Sequence, residues 1–386
     1  MIGQPQDSPV SSRSDSSQSS PVMLREIYEQ PHALRETIQR NVDGDEILPS
    51  AAWSINSALS GARKIVIAAS GSSRNAGLAG EIMIEDLSSV AVDVEYSSEY
   101  SLRSSRAAAD SLVVVITQSG ETADTIAAQR EALRHGAKTV AISNVADSTI
   151  AREASATLIT YAAPECAVPA TKSFTAQLAV LYLFALFLAQ ERGRIDSDFV
   201  QSALTRLVRM ADEIERELSS WDAQATKAAR FIQNAKAFLY LGRGIHYAIA
   251  REGALKLKEV SYVQAEGMPA GELRHGPSAL VDEKLVVVAL ATRDAADYDS
   301  TLRFQKTLGI LEYVKSCGGR VIAIATEGDN EVLQAADHVI FVPSAPELLL
   351  PILEVVPLQL FAYHFATMNG CDVDHPRHLV KSVVRE

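Results

Sequence analysis

A pattern of short apolar runs separated by helical stretches occurs twice along this chain, and it leaves few folds open. KIVIAAS (64–70), LVVVITQ (112–118), KTVAIS (138–143) and TLITYA (157–162) form the first series; AFLYLG (237–242), LVVVALA (285–291), RVIAIA (320–325) and HVIFVP (338–343) form the second. Ile65 and Leu112 lie 47 residues apart, and so do Phe238 and Leu285. The later runs correspond as well, HGAKTVAIS with CGGRVIAIA and TLITYAAPE with HVIFVPSAPE. Near-continuous apolar strands alternating with helices are the mark of parallel sheets covered on both faces, and their repetition points to a duplicated unit. The expected fold class is α/β, two tandem doubly wound parallel-sheet domains of flavodoxin-like type. Their ligand sites belong at the carboxyl ends of the strands.

The boundaries follow from composition. Residues 1–22 hold eight serines and three prolines and are expected to be disordered. A helical lead-in is expected at 23–44, a first, phosphate-binding domain at 45–195 and a second domain at 227–368. Connecting helices are placed at 196–226, where FVQSALTRLVRMADEIEREL has the rhythm of an amphipathic helix. Residues 369–386 form a C-terminal tail.

A net charge of −12 excludes the basic stripe that phosphate neutralisation on a nucleic acid requires, and it disfavours anionic membrane surfaces. The apolar run LAVLYLFALFLA, Leu178 to Ala189, is too short to span a bilayer and reads as a buried or subunit-interface helix. Cys166, Cys317 and Cys371 form no C-x-x-C pair, which fits a reducing cytoplasm rather than a disulfide framework. The N-terminus lacks the layout of a secretory signal.

Three segments carry candidate chemistry. T-Q-S-G-E-T at 117–122 joins an apolar strand to the helical ADTIAAQREAL. It offers the Thr117, Ser119 and Thr122 hydroxyls, the Gln118 amide and backbone N–H groups at a positive helix end, with Gly120 letting an anion approach closely. Plain N-cap turns also favour Ser and Thr, but the hydroxyl density suits a phosphate monoester. ASGSSRNAG (69–77) brings Ser72 and Ser73 to the same sheet edge. Neither GSSRNAG nor LGRGIHY completes G-x-G-x-x-G and no Walker motif occurs, so no nucleotide cofactor is expected.

The third segment is EGALKLKEVSYVQAEGMPAGELRHG (252–276). Glu252, Lys256 and Glu259 share one helix face at i, i+4 and i+7, and Gly267, Pro269 and Gly271 are expected to break the helix before His275. A solvated, salt-bridged face shows the same spacing. A metal at Cys371, His375 and His378 is set aside, because Pro376 interrupts the helix that would align the histidines. Position alone would leave Lys381 solvated and mobile.

Six motifs in order, SGSS (70–73), TQSGET (117–122), PECAVPATKSFTAQLAVLYL (164–183), EGALKLKEVSY (252–262), GELRHGP (271–277) and CDVDHPRHLVKSVVRE (371–386), resemble the isomerase part of glucosamine-6-phosphate synthases. These are tandem sugar isomerase (SIS) domains, and the resemblance covers residues 23–386. It implies that Ser73, Gln118, Ser119 and Thr122 bind phosphate, with Ser72 nearby and Thr117 standing where the family has serine. It makes Glu259 the carboxylate that moves a proton between C1 and C2 of the open-chain sugar, and Lys256 the neighbour that handles hydroxyl protons. His275 matches a ring-opening histidine donated by the neighbouring subunit. Lys381 matches a tail lysine that forms an imine with the ketose, while Glu165 and Val168 go with the sugar pocket. An imine-forming lysine requires a tail folded over the site, so an ordered tail is expected.

Departures from the family shape the functional expectation. The synthases carry a glutaminase whose catalytic cysteine directly follows the initiator methionine, whereas here Ile2 follows Met1 and no cysteine precedes Cys166. This chain by itself is not expected to release ammonia from glutamine, and a separate glutaminase subunit is possible but not indicated. Ser70 stands where the family has cysteine, and Pro169, Ala170 and VQAEGM (263–268) also differ. The leading expectation is a cytoplasmic deaminase that converts glucosamine 6-phosphate, or a related hexosamine 6-phosphate, to fructose 6-phosphate and ammonia without cofactor or metal. Ammonia- or partner-dependent synthesis and cleavage of another amino-linked sugar phosphate are the enzymatic alternatives; a non-catalytic sugar-phosphate sensor is the alternative of another class. A homodimer is expected, because the apolar run at 178–189 needs cover and His275 works in the family only across a subunit boundary. Glu252 and Lys258 are read as solvated charges.

Overall fold

A computed structural model describes residues 20–44, 46–103 and 110–384. Most of the segment expected to be disordered, residues 1–19, lies outside the described residues. Two five-stranded parallel sheets organise the chain. The first runs in the order Val92–Tyr96, Lys64–Ala69, Ser111–Ile116, Lys138–Ser143, Ala156–Ile159. The second runs Gln264–Pro269, Ala237–Gly242, Leu285–Ala291, Arg320–Thr326, His338–Val342. Both therefore have the doubly wound order 2-1-3-4-5, in which the strand order reverses beside the first strand.

The central strands Ser111–Ile116 and Leu285–Ala291 are buried along their whole length, as sheets with helices on both faces require. The edge strands Val92–Tyr96 and Gln264–Pro269 are absent from the sequence reading. An edge strand pairs on one side only, so it tolerates the polar residues of VDVEY and a terminal proline such as Pro269. Helix His246–Ser261 accordingly ends earlier than expected: Tyr262 adopts a left-handed φ of 60° and its N–H closes on the Lys258 carbonyl.

One helix of 35 residues, Ser197–Phe231, links the halves where connecting helices were placed. The Asp196 carboxylate caps it by accepting from the Phe199 N–H at 2.8 Å. Its inner stripe, Val200, Leu204, Leu207, Ala211, Ile214, Leu218 and Trp221, recurs at three- and four-residue steps. Helix Lys172–Glu191 is 20 residues long and, like Leu350–Met368, is apolar enough to resemble a membrane span. Both are buried in one continuous core shared by the two halves. Gly80 lets helix Gly71–Ser88 press against Lys172–Glu191, because a Cβ there would meet Leu181 Cδ2 at 2.8 Å. The apolar run thus finds its cover inside the chain, and its need for cover gives no support to a dimer.

The carboxyl edge of the second sheet is crossed by a buried charge network. His246 Nδ1 lies 2.6 Å from Glu354 and Nε2 lies 3.2 Å from Glu347, which also accepts from Arg303 Nε at 2.8 Å. Burial alone would lower the imidazole, but the two carboxylates outweigh it and raise its pKa to about 9. Burial works to raise the Glu347 carboxyl, but His246 and Arg303 outweigh it and push the pKa down to about 2. A histidine raised above its ordinary value of about 6.5 stabilises the native state fully below that pH, and the contribution disappears as pH rises through its native value. The thermal midpoint is expected to fall between pH 6.5 and about 9, and His246→Gln to flatten that slope. Melting curves across this range check it.

Candidate active site

The first sheet opens at its carboxyl edge into a cavity of about 290 Å³, the small end of the range for ligand pockets, roughly 300–1,000 Å³. Four elements meet there: the start of helix Gly71–Ser88, the turn 117–122, the loop that carries Glu165, and helix His246–Ser261, with residues 379–383 closing over them. Every expected site residue except His275 lines this cavity.

The turn is built by its own hydroxyls. Thr117 and Thr122 Oγ1 lie 2.7 Å apart, and the Glu121 N–H donates to Ser119 Oγ at 3.2 Å. Helix Ala123–Arg134 starts directly behind it, which aims positive backbone charge at the cavity. Gly120 has a φ of +68°, and a Cβ there would fall 2.0 Å from Ser148 Oγ. The positive φ and the approach of Ser148 are by themselves enough to require glycine at this position. Ser73 Oγ accepts from Gln177 Nε2 at 3.1 Å, which fixes the second hydroxyl-bearing turn against the core helix.

The opposite wall carries the titratable groups. Lys256 Nζ is fully buried and donates to Glu259 Oε2 at 2.5 Å, and it lies 3.5 Å from Glu252 Oε1. Burial works against the ammonium, but the carboxylates of Glu259 and Glu252 outweigh it and hold Lys256 above the ordinary lysine range. Glu259 keeps about a fifth of its side chain exposed, toward the cavity. Glu252 is not a solvated charge: it is 0% exposed, accepts from Asn75 Nδ2 at 2.9 Å, and burial raises its carboxyl despite Lys256. Lys258 is exposed, as expected.

The tail folds back over this wall. Ser382 Oγ lies 3.0 Å from Ser119 Oγ, and the Ala123 N–H donates to the Val383 carbonyl at 3.0 Å. Lys381 pairs with the buried Glu165 carboxylate, which also accepts from the Thr171 N–H at 2.9 Å and Ser173 Oγ at 2.7 Å. Burial works to raise Glu165, but the Lys381 ammonium and these donors outweigh it and hold the carboxylate below its usual range.

Glu26, a residue the sequence reading missed, holds the loop in place. Its buried carboxylate accepts from the Cys166 and Ala167 N–H groups at 2.5 and 3.2 Å, directly after Glu165. Asp374 in turn accepts from the Val22 and Met23 N–H groups, both at 2.8 Å, tying the tail to the same N-terminal helix. Nothing local in MLREIYEQP signals a contact made across 140 residues.

His275 stands apart, exposed at the end of the 3₁₀ helix Ala270–His275 and outside the cavity. Of the departures, Ser70 and Ala170 line the cavity, whereas the 263–268 segment lies on the edge strand and does not. Among the described residues no cluster of His, Cys, Asp and Glu is arranged to hold a metal, Cys371, His375 and His378 included.

Comparison with known proteins agrees with this architecture. The SIS domain family matches residues 58–187 and again 231–369. Glutamine-fructose-6-phosphate aminotransferase (isomerizing) of Chlorobaculum tepidum is 43% identical over 366 residues, covering 94% of this chain and 58% of that protein. The chain thus spans about three-fifths of the length of the curated relatives it matches. The solved C-terminal domain of glucosamine-fructose-6-phosphate aminotransferase from Francisella tularensis superposes with a TM-score of 0.86 at 33% identity, covering 93% of this chain and 99% of that one. Glucosamine-6-phosphate deaminase of Thermotoga maritima shares the fold, with a TM-score of 0.70 at 20% identity over 94% of this chain and 99% of its own. With two matched units, each built on a parallel sheet of the same strand order, the chain belongs to the SIS domain family as a tandem pair.

Proposed function

We propose that the cavity interconverts glucosamine 6-phosphate, or a related hexosamine 6-phosphate, with fructose 6-phosphate and ammonia. The observation that carries this reading is the convergence of a hydroxyl-built turn, a Lys256–Glu259 pair and a tail lysine on one small cavity. The turn at a helix N-terminus holds the phosphate dianion. That places the sugar carbons against the opposite wall, where Glu259 reaches two adjacent positions. Its carboxylate takes the proton from C2 and returns it to C1, and the Lys256 ammonium steadies the oxygen charge that develops beside it. The product of that transfer is a C2 imine; water adds to it and ammonia leaves.

Lys381 is the candidate for an imine with the ketose at C2. Its ammonium rests on Glu165, so the imine requires that pair to open and a proton to pass to a nearby base. A second copy of the chain would supply His275 for ring opening, which fits the exposure of that residue and its distance from its own cavity. The names of the relatives, an aminotransferase acting on fructose 6-phosphate, agree with sugar-phosphate isomerase and aminotransferase chemistry. They also support the reverse reading, synthesis from fructose 6-phosphate with ammonia supplied by a partner. A sensor needs the turn but neither Glu259 nor Lys381.

Incubation of the pure protein with glucosamine 6-phosphate is expected to release ammonia, detected by coupling to glutamate dehydrogenase. Borohydride added with fructose 6-phosphate is expected to fix the sugar to Lys381. Absence of turnover across several hexosamine 6-phosphates, in both directions, would overturn the proposal.

A further inference from the structure

A second cavity, of about 540 Å³, lies behind the catalytic helix, between helix Gly71–Ser88, the end of the edge strand at Tyr96 and strand Gln264–Pro269. Its cations are Arg74, Arg251 and Lys258, and among the described residues none of them makes an ion pair. The Arg74 guanidinium lies 3.8 Å over the Tyr96 ring. Arg251 donates to the hydroxyl of the same tyrosine at 3.0 Å, to the Tyr247 hydroxyl at 3.1 Å and to Asn75 Oδ1 at 3.4 Å. Two guanidinium groups are thus held around one ring, and Arg74 Nε is buried with no hydrogen-bond partner.

Like charges brought together repel, and a structure that holds them so is poised for a counter-ion. Burial and the Arg251 charge push the Arg74 guanidinium below its usual range. The carboxylate that acts on Arg74, Glu81, does not balance it: burial, with Glu85 and Asp93, raises its pKa to about 7. Glu266 stands at the rim, exposed. The tyrosine hydroxyls and Asn75 fix Arg251 in position, so little side-chain entropy remains to be lost on binding.

We infer that this cavity binds a phosphate-bearing small molecule, with Arg74, Arg251 and Lys258 as its counter-charges. Two planar guanidinium groups and an ammonium match a dianionic phosphate better than a single carboxylate. The cavity is larger than the catalytic one and leaves room for the body of a phosphorylated metabolite. Asn75 joins the two places, since its side chain accepts from Arg251 and donates to Glu252.

The test counts phosphate sites and does not depend on turnover, so it stands apart from the proposed reaction. Calorimetric titration of the full chain with inorganic phosphate is expected to show two sites per chain. Ser119→Ala with Thr122→Val removes the turn site and leaves one; Arg74→Met with Arg251→Met removes the other. Lys258→Ala, at an exposed position that folding does not require, weakens the second site several-fold and reduces its salt dependence. A single site that vanishes in the Ser119/Thr122 variant overturns the inference. So does an unchanged phosphate count in arginine variants whose sedimentation shows a dissociated dimer, which would make the cavity an interface with a second copy.

Discussion

Glu259→Gln is expected to lower kcat for ammonia release by about 10²–10⁴-fold, the contribution of a positioned acid or base, while leaving the affinity for fructose 6-phosphate nearly unchanged. The amide has the shape of the carboxylate and its oxygen still accepts from Lys256 Nζ, which donates there at 2.5 Å in the wild type. Lys256 keeps its second neighbour, Glu252, so no buried charge is stranded. What the amide cannot do is take a proton from carbon. The turn 117–122, proposed to hold the phosphate, lies on the other wall and is untouched. Steady-state kinetics with calorimetric titration of fructose 6-phosphate separate the outcomes. Full activity in the variant would remove Glu259 from the reaction, whereas loss of binding with loss of turnover would make it structural. The same variant divides enzyme from sensor, because a sensor would bind and signal unchanged.

The sequence revealed the parts of the fold that burial makes monotonous. LVVVI and LVVVALA are apolar throughout because helices cover both faces of the central strands. Two of the four edge strands, Val92–Tyr96 and Gln264–Pro269, escaped notice because pairing on one side relaxes that demand. Within the site, the turn 117–122 was legible because its hydroxyls act on their own neighbours. Glu252 was not, since charges at i and i+4 have one spacing whether the face meets water or protein. What buries Glu252 is the approach of helix Gly71–Ser88, which supplies Asn75 from 177 positions away. The same limit hid Glu26, whose partners come from the loop at 166–167. For Lys381, resemblance supplied what position near a chain end could not. The contacts of Ser382 and Val383 with the turn then show how the described part of the tail is held.

Lys256→Met is expected to abolish turnover and also to destabilise the fold by about 3–5 kcal/mol near neutral pH, the usual result of removing one member of a buried ion pair. Glu252 is 0% exposed and would be left facing an apolar side chain, with the neutral donors Asn75 and Ser72 in place of a cation. Its carboxyl is already raised by burial, with Lys256 the main force opposing that shift; without the lysine it rises further. A carboxyl whose native pKa exceeds its unfolded value, about 4.3, costs stability as pH climbs above that value, and the cost levels off above the native pKa. The deficit in the variant is therefore smallest in mild acid and grows toward neutrality, as denaturant titrations at several pH values would register. Adding Glu252→Gln removes the stranded charge, and replacing both members of a buried pair by neutral groups of similar shape is often nearly neutral for stability. The double variant should recover most of the lost stability and none of the activity. If it is no more stable than Lys256→Met alone, the coupling between these two charges is not what holds this helix face together, and loss of packing around the lysine stem must account for the deficit instead.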